Sequence, residues 1–213
     1  MIRRFRLRWR VVTVLAVGLL ALIGFAGSVA QGGEESIAFK MVRSTTAVGA
    51  GCVPHGKAWV TVTSTGPTET MTVRVSGLPH STDFDFFVIQ VPDAPFGLAW
   101  YQGDIQTRRD GTGTGRFVGR FSIETFIVAP GVAPAPVVHD ADDTTFPDAN
   151  TNPATAPVHT FHLGLWFNSP TDAAKAGCPG ATTPFNGDHT AGVQVLSTRN
   201  FGIGHGPLRQ LRP

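Results

Sequence analysis

After Ala30 the chain lacks a second long apolar run, a basic cluster beyond Arg108–Arg109, and any extended period-3.6 pattern; it has only two cysteines, Cys52 and Cys178. Each shortage excludes something. A membrane span needs about 20 apolar residues in a row, so no further membrane-spanning helix is expected beyond residue 30. Phosphate-backbone binding wants a concentrated basic stretch, so nucleic acid is not an expected partner. Without helical periodicity a bundle has no apolar stripe to bury. No G-x-S-x-G is present, and Ser, His and Asp occur as scattered singletons, so nucleophilic hydrolysis has no local signature.

What is present begins with "MIRRFRLRWR", "VVTVLAVGLLALIGFAG" and "SVA": basic, apolar, then small residues. That order describes a signal peptide over residues 1–30, cleaved after Ala30, with an uncleaved N-terminal anchor as the alternative. All 15 acidic residues follow Ala30 but only 12 of the 17 basic ones do, so residues 31–213 carry a net charge of −3, against +2 for the whole chain. The expectation is a secreted protein, with no membrane association after cleavage, acting on an extracellular ligand or surface. In an oxidising compartment two cysteines and no third pair by default. Residues 31–213 suit a single domain of ordinary size.

Alternation of period two runs through 36–42, 58–64, 71–77, 97–106, 116–128, 158–167 and 191–197, while "FDFFVIQV" (84–91) is apolar on both faces, as a strand covered on two sides would be. "TGPT" and the Asp-Gly of "TRRDGTGTG" mark hairpins, and 24 threonines suit half-exposed pleats. In the 116–128 segment Phe117, Phe121, Ile123 and Ile127 share one face. One short helix is legible over 169–176: Ser169 as N-cap, Pro170 in the first turn, Gly177 as the stop before Cys178. Residues 129–157 form a long loop without periodicity, and the Gly- and Pro-rich tail from Asn200 reads as lying on the surface. Together these predict an all-β, antiparallel β-sandwich, immunoglobulin-like or jelly-roll.

Several stretches carry a resemblance. "TVRVSGLPHSTDFDFFVIQV" resembles the strand, Gly-Leu-Pro, strand corner of fibronectin-like secreted sandwiches. "FDFFVIQVPDAPFGLAWYQGDIQT" is similar to a group of secreted bacterial β-proteins. That resemblance implies export and a β-fold, and brings no activity with it.

Candidate chemistry is sparse. His159 and His162 in "HTFHLGLWF" would project from opposite faces of one strand, roughly 10 Å apart at ~3.3 Å per residue, so they cannot chelate one ion. A blue-copper arrangement fails because Met41 and Met71 lie far upstream of Cys178 and His189 follows it distantly. Asp140, Asp142, Asp143 and Asp148 in the long loop are oxygen donors of the kind calcium takes, although in "DANTNP" the sixth position is Pro153. Asp83 and Asp85 share a face at a strand mouth and, with Trp100 and Tyr101, form a possible ligand face. The leading expectation is a binding or structural surface protein without a resident cofactor. A metal-assisted hydrolase using the 139–148 loop with Asp83, Asp85 or His80 is the alternative, and a glycan-binding module stacking sugars on an aromatic the second.

Overall fold

The computed structural model describes residues 35–121, 125–126, 158–180, 183–185 and 189–211. The predicted signal segment and the whole 129–157 loop, with Asp140, Asp142, Asp143 and Asp148, lie outside these. Among the described residues twelve strands run β1 (Glu35–Arg43), β2 (Lys57–Ser64), β3 (Glu69–Ser76), β4 (Asp83–Ile89), β5 (Ala99–Gln106), β6 (Gly113–Gly119), β7 (Thr125–Phe126), β8 (Val158–His159), β9 (His162–Phe167), β10 (Thr183–Phe185), β11 (His189–Ala191) and β12 (Gln194–Ser197). Two one-turn helices interrupt them, α1 (Thr45–Gly49) and α2 (Pro170–Lys175), and the chain ends in 3-10 turns at Ile203–His205 and Pro207–Gln210. No helix among the described residues is long and apolar enough to cross a membrane.

The all-β, antiparallel class is as the sequence predicts, but the architecture is a nearly closed barrel rather than two separate stacked sheets. Eight strands share one sheet in the order β5-β4-β9-β12-β1-β2-β3-β6. The expected two layers survive as its halves. Within each half the ladders are long: β2 and β3 pair over eight residues and β4 and β9 over six. Between the halves they are thin. Strands β1 and β12 share only Val42↔Ser197 and Arg43↔Leu196, while between β5 and β6 the isolated bridge Thr107↔Gly113 lies just past the end of β5.

Each thin seam has its own fastener. At β5–β6 it is the Asp-Gly hairpin. Asp110 accepts from the Thr112 backbone N–H at 3.0 Å and from its hydroxyl at 2.7 Å, bonds that hold its carboxyl below the ordinary value. Gly111 takes φ +73°, where a Cβ would also strike the Leu78 carbonyl, so glycine is required. Beyond the bridge the strands splay, and Phe117 fills the gap by stacking on Phe86 at 5.0 Å.

At β1–β12, Ser44 Oγ donates to the Gln194 carbonyl at 2.6 Å and Arg199 Nε to the Arg43 carbonyl at 2.6 Å. Here too lies the predicted disulfide, Cys52–Cys178, with Cα atoms 5.3 Å apart. It joins the end of α1, which follows β1, to the end of α2, which follows β9. Ser169 caps α2 as expected, accepting from the Asp172 N–H at 3.1 Å. The sequence reading missed α1, which is built the same way. Ser44 is its N-cap, Gly51 at φ +67° matches Gly177 at φ +71°, and each cysteine N–H bonds the carbonyl five residues back, Ala47 or Ala173. Both are Schellman stops.

The core between the halves is filled by inward positions such as Val60, Val73, Phe84, Phe86, Leu165 and Val195, all fully buried. Three expectations need correcting. The 116–128 strand ends at Gly119, because its partner β3 begins at Glu69, opposite Gly119, and offers no further ladder. Phe121 still enters the core, while Ile123 and Ile127 fall outside the described residues. The 158–167 strand breaks at Thr160–Phe161, where pairing switches from β7 to β4 and β12. The tail does not simply lie on the surface: Leu208 and Leu211 are buried, and the Leu208 N–H bonds the Phe161 carbonyl at 3.3 Å.

Candidate functional site

Alternation along β4 sends Phe84, Phe86 and Val88 inward and Asp83, Asp85, Phe87 and Ile89 outward. The outward set is covered, as a strand apolar on both faces requires. Phe87, Ile89, Trp166 and Ala191 form a second small core with Phe96 against it. The Trp166 indole is its centre, edge-on to Phe96 at 5.0 Å and to Phe87 at 5.4 Å. A Cβ on Gly164 would collide with that ring, so glycine two residues earlier on the same face makes the space. Phe96 sits at φ +68°, a strained conformation for a bulky residue, in the loop that folds back over this core.

The register places Asp104, Asp85, Trp166 and Gln194 in one row across β5, β4, β9 and β12. Asp85 is 1% exposed. Its Oδ1 accepts from Asn168 Nδ2 at 2.9 Å, and its Oδ2 lies 3.4 Å from Nε2 of the part-exposed His189. Burial pushes the Asp85 carboxyl above the ordinary 3.8, an effect that Asn168 and His189 partly offset and that the neighbouring Asp104 reinforces. Beside it, the Tyr101 hydroxyl donates to Asp104 Oδ1 at 2.6 Å. Among the described residues the buried Gln194 Nε2 has no hydrogen-bond partner.

This arrangement divides the predicted ligand face. Asp83, Asp85 and Tyr101 share the outward side. Trp100, 44% exposed, pairs with inward Val88 and so lies on the other. A bulge between Phe86 and Phe87 re-phases β5, bringing Tyr101 and Asp104, three apart, onto one face. Asp104 and Asn168 were not singled out from the sequence, and His189 entered only through a copper arrangement that fails. His189 lies 104 residues from Asp85, and no local pattern reports such a pairing.

Chemically, the cluster holds a buried carboxyl under an accessible imidazole. Among the described residues no group of three or more His, Cys, Asp or Glu is placed to hold a metal. His162 is structural. Its Nε2 donates to the Ile203 carbonyl at 2.8 Å and its Nδ1 accepts from the Thr198 hydroxyl at 2.9 Å. Burial lowers its pKa below the ordinary 6.5. Of His159 only the backbone is described. His80 lines a cleft of about 270 Å3 with Ser81, Asp172 and Lys175. There Asp172 already bonds Ser169 Oγ at 2.8 Å and Lys175 Nζ at 3.3 Å, so it serves α2 rather than a triad.

Comparison with family models, with curated proteins and with solved structures gave no match to this chain. The site is therefore read from its own geometry.

Proposed function

We propose that the chain is exported, loses residues 1–30, and acts outside the cell as a binding or structural surface protein. Its resemblance to secreted bacterial β-proteins belongs to the same proposal. The observation that supports it best is the Cys52–Cys178 bond, since reducing cytosols keep such a pair as thiols. The test is expression of the full chain in a bacterium, followed by intact mass and thiol titration of the exported fraction. The expected product starts at Gln31 and has no free thiol. Retention of residues 1–30, or two titratable thiols, would overturn the proposal.

The Asp85–His189–Asn168 cluster favours a second reading, in which the protein is a hydrolase with Asp85 orienting a His189 base. Screening ester, phosphoester and glycoside substrates with the wild type and Asp85→Asn tests it. Turnover lost in the variant would move the assignment to an enzyme.

A further inference from the structure

Folding assembles what the linear sequence lacks, a concentrated basic face. In the half made of β1, β2, β3 and β6, the outward positions are mostly polar or small around one large ring, with the aliphatic Val118, 60% exposed, at the β6 edge. The register sets Lys40, Trp59, Arg74 and Thr114 in one row across the four strands. The next row is Ala38, Thr61, Thr72 and Arg116, and Lys57 precedes Trp59 on the same side of β2. Ser36, Thr63, Thr70 and Ser76 complete the surface. Alternation puts four cations and no carboxylate on this side of the four strands, although residues 31–213 as a whole carry a net −3. Among the described residues none of the four cations makes a salt bridge, and Trp59 is 50% exposed.

The spacing has a chemical meaning. Strands lie about 4.8 Å apart and same-face residues about 6.7 Å apart along a strand, so Lys40, Lys57 and Arg74 ring Trp59 at one sugar's width, with Arg116 one step further. The Lys40 ammonium rests 4.7 Å from the indole centroid. A sugar ring stacking on that face displaces the ammonium from the indole, and a carboxylate on the sugar gives it a new partner within reach. Short threonine and serine hydroxyls around it match sugar hydroxyls as both donors and acceptors. A membrane surface would need a belt of inserting apolar groups, and single-stranded nucleic acid a series of stacking rings; this face has one ring amid hydroxyls and cations and one exposed aliphatic side chain, Val118, at its edge.

We infer that the outer face of β1, β2, β3 and β6 binds an extended anionic polysaccharide, with the ring of an acidic sugar on Trp59 and its carboxylate or sulfate held by Lys40, Lys57, Arg74 and Arg116. This deepens the binding reading above and rests on it for the extracellular setting. The test uses purified, oxidised protein, so it fails or succeeds independently of export.

The protein is passed over immobilised polygalacturonate, dextran sulfate and neutral dextran at 50 mM NaCl. The expected result is retention on both anionic polymers, none on dextran, and at least tenfold weaker retention for Trp59→Ala and for Lys40→Gln/Arg74→Gln. Circular dichroism confirms that these exposed substitutions leave the fold intact. No retention on either anionic polymer would overturn the inference, as would retention indifferent to Trp59. Loss with Trp100→Ala in place of Trp59→Ala would assign binding elsewhere and overturn it too. So would tighter, Trp59-dependent binding to anionic phospholipid vesicles or single-stranded DNA, because the occupant would then be of another class.

Discussion

The two halves of the barrel have opposite outsides. The β1-β2-β3-β6 half is bare among the described residues: it shows cations, hydroxyls, Val118 and Trp59 to water. The β5-β4-β9-β12 half is roofed: its outward Phe87, Ile89 and Trp166 are sealed beneath Phe96 and Ala191, and its buried titrating groups, Asp85 and His162, lie there as well. The same pleat thus serves two ends. A strand with one covered face is free to vary the other for recognition. A strand covered twice gives up that freedom and gains a low-dielectric place in which burial raises the pKa of a carboxyl.

Breaking the join between the halves has the largest expected effect. Replacing both cysteines by serine releases a loop spanning 126 residues, worth about 4–5 kcal/mol by chain entropy and a fall of roughly 10–15 °C in Tm, measured by thermal melting. Next comes the roofed half itself. Trp166→Ala empties its second core and costs about 3–5 kcal/mol, read from the urea midpoint. The same substitution on the bare half, Trp59→Ala, costs less than about 1 kcal/mol, so a similar loss at both tryptophans would erase the distinction.

The pH response should also come from the roofed half, with two signs. Above its ordinary 6.5, His162 is neutral both folded and unfolded. As pH falls below that value the unfolded chain takes up a proton that the native site refuses, and stability declines until the lower native pKa is passed. Asp85 acts oppositely. Its contribution is complete below the ordinary 3.8 and is lost as pH rises through its higher native value. Urea midpoints from pH 8 to 4 should show the His162 decline, and Asp85→Asn should remove the second dependence while leaving the first.

The sequence was most legible where local chemistry decides. Asp110-Gly111 makes its hairpin because one short side chain and one positive φ suffice, and Ser169 caps α2 for equally local reasons. Strand alternation survived almost everywhere on the bare half, where each strand has one wet and one dry side. Two cysteines without competitors could pair only with each other. The roofed half was legible as a covered strand but not in what covers it. The bulge in β5 shifts Tyr101 against Asp104 by one pleat, and two-residue counting is blind to that. His189 meets Asp85 through tertiary packing alone. The basic face went unseen because Lys40, Lys57, Arg74 and Arg116 lie far apart in the chain and become neighbours only through register.

The uneven seams have a mechanical consequence. One edge is a spine: the 108–112 turn is continuous chain and stays whatever the surroundings. The other is a clasp of two paired residues reinforced by sulfur. In a reducing solution the protein should swing open like a book on that spine, uncovering its pages along one margin only, so that amides of Val42, Arg43 and Leu196 trade their hydrogens long before those of β2 and β3.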